Sequence, residues 1–77
     1  MFDRVVAIIS SVVGMEYQEI TSDSNLLIDL GFSSLDVVDL ALGLEEEFNI
    51  VIPDRDFNRF LVVKDIIGYL GERLASE

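Results

Sequence analysis

Apolar residues recur at every third or fourth position between Ser34 and Phe48: Val37, Leu40, Ala41, Leu44 and Phe48. That spacing predicts a helix with one core-facing side. A second apolar row, Leu35, Val38 and Leu42, runs through the same segment among Asp36, Asp39, Glu45 and Glu46. A helix apolar all round is normally buried, but these acids forbid complete burial of the second side. Upstream, Phe2, Val5, Val6, Ile9, Val12 and Val13 mark one face of a first helix, with Asp3 in its favourable first turn and Gly14 placed to end it. Val63, Ile66, Ile67, Leu70 and Leu74 define a last helix with Lys64 and Arg73 outside. Its start is poorly marked, and residues 54–75 also read as one bent helix. Gly68 and Gly71 each cost about 1 kcal/mol there relative to alanine, and either permit close packing or soften the end.

The connections are less regular. Met15 to Ser33 is a long loop, with Ile20, Leu26, Leu27, Ile28 and Leu30 as apolar anchors and Asp23 or Ser24 as a cap for a short turn. Beyond Phe48, Pro53 holds Ile52 out of helix, so Ile50 and Ile52 read as loop residues plugging the core. A short helix then begins at Asp54, with Phe57, Phe60 and Leu61 expected inward.

Composition narrows the class. Seventy-seven residues make one small domain, 1–77. Fifteen acids against five bases give a net charge of −10, which argues against nucleic acid and anionic membranes and for basic partner surfaces. The 51% hydrophobic content argues for a folded chain despite that charge. No cysteine or histidine is present, which removes disulfides, thiolate metal sites and a histidine base. A calcium loop counted from Asp23 fails, because Ile28 stands where glycine is required and Ser34 where glutamate is. No metal site is expected. The N-terminus lacks signal-peptide character and no apolar run spans a bilayer, so the expected location is cytoplasmic. The carboxylates lie on solvated helix faces, and Lys64 is the only lysine. Independent catalysis is not expected, and no residue is assigned a catalytic role.

Two features of the central helix call for a partner. Gly31 suits a sharp turn, and Ser33 fits the cap of the helix that follows. Glu45, Glu46 and Glu47 then crowd the last turn, where the helix dipole opposes negative charge. A cluster set against its local electrostatics, beside an apolar strip, is a candidate recognition surface.

The run from Leu30 to Asp54, LGFSSLDVVDLALGLEEEFNIVIPD, resembles the signature of the acyl carrier protein family. In that family a serine after a Gly-x-Asp turn carries a 4′-phosphopantetheine arm and opens the docking helix. The register places Ser33 at the family's aspartate and Ser34 at the modified serine. The resemblance extends over essentially the whole chain in length and helix order, including the long first loop. One departure stands out: the acid before the modified serine is replaced by Ser33.

The resemblance implies an all-α four-helix bundle with a long first loop and a short third helix. It implies a covalent 4′-phosphopantetheine on Ser34, attached by a phosphopantetheinyl transferase. An acyl group would be held as a thioester on the arm, and the short third helix would close over its pocket. Partner contact would come from Leu35, Val38 and Leu42, with Asp36, Asp39, Glu45, Glu46, Asp54 and Asp56 steering a monomeric domain toward basic docking surfaces of acyl-transferring and acyl-modifying enzymes. Fatty-acid, lipid or polyketide-type synthesis is the implied setting, and Ser33 hints at a specialised carrier. A carrier of another cargo, such as an aminoacyl group, stays open. So does an unmodified helical adaptor in which Ser34 is only a cap.

Overall fold

A computed structural model describes residues 1–75. Three α-helices, α1 (Phe2–Val13), α2 (Ser34–Phe48) and α3 (Val63–Ala75), are joined by two short 3₁₀ helices, Tyr17–Glu19 and Asp54–Arg59. The architecture is the expected all-α bundle, and its short third helix is a 3₁₀ helix. One core joins the three α-helices. Val5, Val6 and Ile9 of α1 meet Leu40, Ala41, Leu44 and Phe48 of α2 and Val63, Ile66, Tyr69 and Leu70 of α3.

Each α-helix ends for a local reason. Gly14 takes a left-handed conformation (φ 73°) after α1 and donates its N–H to the Ser10 carbonyl at 2.7 Å. Asn49, also left-handed (φ 55°), closes α2. At the start of α3, the Asp65 carboxylate reaches back to the Val62 N–H at 3.0 Å, which supplies the start signal that Val62 itself lacks.

The long first loop is tied down by backbone bonds. The Val63 and Lys64 N–H groups, unpaired within α3, donate to the Ser24 and Ser22 carbonyls at 3.1 and 2.9 Å. Leu26 N–H donates to the Leu61 carbonyl, and Asn25 forms an isolated antiparallel bridge with Val62. The Leu61 carbonyl and the Val63 and Lys64 N–H groups are therefore committed to the first loop. This divides residues 54–75 into two elements rather than one bent helix.

Several expected placements differ. Ile20, Leu26 and Leu30 are buried anchors, but Leu27 and Ile28 are exposed. The cap of their turn is Asn25, whose Oδ1 accepts from the Leu27 and Ile28 N–H groups, rather than Asp23 or Ser24. Ser24 is itself buried and accepts from the Thr21 N–H. In the segment after Pro53, Phe60 is buried and Phe57 half-buried, while Leu61 lies outside. Phe2 is exposed at the start of α1. Ile50 and Ile52 plug the core as expected. Gly68 and Gly71 permit no close approach, since a Cβ at either would meet nothing within 4 Å. The close approach lies at Gly43, where a Cβ would come within 2.8 Å of Ile8 Cγ2.

Candidate functional site

The site begins with a turn. Gly31 has φ 69°, which turns the chain out of the first loop. Phe32 is then buried, with its N–H on the Leu26 carbonyl at 2.9 Å. With Phe32 pinned, Ser33 becomes the N-cap of α2. Its Oγ accepts from the Asp36 N–H at 3.3 Å, and the Asp36 carboxylate accepts from the Ser33 N–H at 2.8 Å. This reciprocal pair satisfies two donors of the helix start.

Ser33 is thus occupied, whereas Ser34 is exposed on the first turn of α2. No side-chain hydrogen bond ties down its hydroxyl among the described residues. An anion attached at this position would lie close to the positive end of the helix dipole.

Beside Ser34 opens an apolar cleft of about 480 Å³, lined by Leu27, Val37, Val38, Phe57, Asn58, Phe60 and Leu61 as well as Ser34 itself. Its size is that of a small-ligand site. Three parts of the chain build it: the tip of the first loop, one side of α2, and residues 57–61. Leu27 and Leu61, expected to point into the core, instead form its rim.

The residues expected to meet a partner fall into two groups. Leu35, Val38, Asp39, Leu42 and Glu46 are all exposed and share one side of α2. Asp54 is exposed at the start of the second 3₁₀ helix, on a different element. The other three carboxylates are half-buried and bound within the molecule. Asp36 holds Ser33, Glu45 accepts from the Ile52 N–H at 2.7 Å, and Asp56 accepts from the Tyr69 hydroxyl at 2.7 Å. None of the five basic residues lies in α2.

Tyr69 was not among the residues singled out by periodicity, although it stands three positions after Ile66. Its ring is buried, and its hydroxyl lies between Asp56 and the Arg73 guanidinium, which donates to it at 2.8 Å. Burial pushes this hydroxyl above its ordinary range. The bond to Asp56 adds to the rise and Arg73 opposes it. Arg73, expected on the outer side of α3, is half-buried through this contact.

Known proteins match this chain along nearly its full length. The family described as "Phosphopantetheine attachment site" matches residues 3–70. An acyl carrier protein of Syntrophobacter fumaroxidans is 42% identical over 73 residues, covering 95% of this chain and 90% of its own length. One from Clostridium perfringens is 42% identical over 72 residues, covering 94% of this chain and 95% of its own. One from Thermotoga maritima is 36% identical over 74 residues, covering 96% and 91%. By these matches the chain belongs to the acyl carrier proteins, carriers rather than catalysts, whose cofactor is a covalently attached 4′-phosphopantetheine.

Proposed function

We propose that Ser34 holds the 4′-phosphopantetheine and that the chain carries acyl groups on it for enzymes of fatty-acid, lipid or polyketide-type synthesis. The observation that carries this reading is the contrast between the two adjacent serines. Ser33 is committed to capping α2, while Ser34 presents an exposed hydroxyl at the mouth of an apolar cleft. In the loading step Ser34 Oγ bonds to the phosphorus that bears pantetheine in coenzyme A. The bond from that phosphorus to the rest of the nucleotide breaks, and a base on the transferase takes the serine proton. When bound, the cofactor supplies the thiol that this chain lacks.

In this reading the exposed side of α2 docks partners. Leu35, Val38 and Leu42 give the apolar contact, and Asp39 and Glu46, with Asp54, steer basic surfaces toward it. Asp36, Glu45 and Asp56 contribute charge from positions already bound within the fold. The chain acts as a monomeric, single-domain carrier in the cytoplasm, without catalysis of its own and without nucleic acid as a partner. No helix among the described residues is long and apolar enough to cross a membrane. Ser33 preserves the cap while removing the negative charge that the family places before its modified serine, which fits a specialised carrier.

Intact mass after incubation with coenzyme A and a broad-specificity phosphopantetheinyl transferase tests the assignment. One phosphopantetheine is expected on the wild type and on Ser33→Ala, and none on Ser34→Ala. A folded wild type that gains no mass, beside a control carrier that does, turns the question to protein from the native host. Absence of the arm there too would establish the unmodified adaptor.

A further inference from the structure

The short 3₁₀ helix Asp54–Arg59 forms the outer side of the cleft through Phe57 and Asn58. A 3₁₀ segment this short has little stability of its own, so outside contacts hold it in place. Tyr69 reaches it at both ends. Its hydroxyl donates to Asp56 near the start, and its ring meets Phe60, just past the end, edge-on at 5.2 Å and 83°. The Arg59 guanidinium also lies over the ring at 4.9 Å. Phe57 and Asn58 are the two residues between these grips. Tyr69 itself does not line the cleft, so any influence it has on cargo acts through the residues it holds.

We infer that Tyr69 is a positioning residue that sets the width of the cleft and thereby limits the length of acyl chain the carrier can shelter. The inference rests on the assignment of the arm to Ser34. With the hydroxyl bond to Asp56 made, Phe57 and Phe60 stay fixed and the cleft is kept narrow. Removing that bond while keeping the ring leaves Phe60 packed and frees the start of the segment, so Phe57 yields to a longer chain.

The experiment uses the full chain, loaded with phosphopantetheine and charged with saturated acyl groups from butanoyl to hexadecanoyl. The half-life of each thioester in neutral hydroxylamine reports how well the cargo is sheltered. Tyr69→Phe and Asp56→Ala remove the bond from opposite sides, and Phe57→Ala enlarges the cleft directly. In all three variants the half-life of the hexadecanoyl thioester, relative to butanoyl, should rise severalfold over the wild-type ratio. A Tyr69→Phe profile parallel to wild type, or shortened equally at every chain length, overturns the positioning role even if its melting temperature falls. Failure of the wild type to take the arm at all overturns the carrier assignment and this inference together. Loading followed by an unchanged profile overturns this inference alone.

Discussion

The Tyr69 hydroxyl donates to the Asp56 carboxylate at 2.7 Å across thirteen residues of sequence, joining the outer side of the cleft to α3. Burial of the hydroxyl, reinforced by that bond, raises its pKa above the ordinary 10.0. A folded-state value above the unfolded one means that the native chain binds the proton more tightly. The stability it contributes is therefore fully present below about pH 10 and is lost as pH rises through the folded value. Urea denaturation should show wild type losing more stability than Tyr69→Phe in that alkaline range. An absorbance titration should show a late tyrosinate step in wild type that Tyr69→Phe lacks.

Ser33 and Asp36 predict a distinction between cap and charge. Ser33→Ala should cost about 1 kcal/mol, within the usual range for loss of an N-cap. Ser33→Asp keeps a capping oxygen, adds a negative charge at the favourable end of α2, and should be neutral or stabilising. Thermal denaturation of the two variants checks both, and equal losses would contradict the capping role.

Glu45 and Glu46 are sequence neighbours with different work to do. Glu45→Ala leaves the half-buried Ile52 N–H without its acceptor and should lower stability by about 1–2 kcal/mol. Glu46→Ala should change stability by less than about 0.5 kcal/mol. Its effect should appear instead in association with a basic partner enzyme, as a slower on-rate and a shallower dependence on salt.

At Gly43, alanine has two opposing effects. It improves helix propensity by about 1 kcal/mol but places a Cβ within 2.8 Å of Ile8 Cγ2. Gly43→Ala alone should therefore destabilise the protein. In an Ile8→Ala background the same change should be neutral or stabilising. A double-mutant cycle measures the coupling, and simple additivity would show that Ile8 moves aside without cost.

The net charge of −10 also has a measurable effect. The ion pairs Arg4–Glu47, Arg59–Glu72 and Lys64–Asp23 offset little of it because all are exposed. Added sodium chloride or a divalent cation should raise the melting temperature by screening the excess negative charge. A flat salt titration would show that self-repulsion is not a significant cost.

The bounds of α2 were legible because a turn glycine, a capping serine and an unbroken apolar period all speak for the same helix. The exposure of Leu35, Val38 and Leu42 followed from the acids around them. What stayed hidden depends on partners distant in the chain. Glu45 and Asp56 read as surface acids until Ile52 and Tyr69 are seen to reach them. Leu27 and Leu61 read as core residues because nothing local shows that their segments are joined through Leu26 to Leu61 and Asn25 to Val62 across the end of the bundle. The cap at Asn25 was missed in favour of its neighbours, although the spacing Asn25 to Leu27 and Ile28 is that of an ordinary side-chain-capped turn. Within the site, Ser34 and the α2 strip come from local pattern, whereas the cleft exists only after three separate segments meet.

The contact between Gly43 and Ile8 brings α1 and α2 together with no room for a side chain on one of them. Such a seam resists relative movement, because neither helix can shift toward the other without collision. The opposite edge of α2 faces a short segment held by side chains. The molecule therefore has one flank of α2 braced by a helix–helix seam and another held only by side-chain contacts. On the proposed assignment, a partner enzyme gripping the exposed acids of α2 would hold the braced frame while cargo is exchanged across the other flank, so recognition and release would proceed without working against each other.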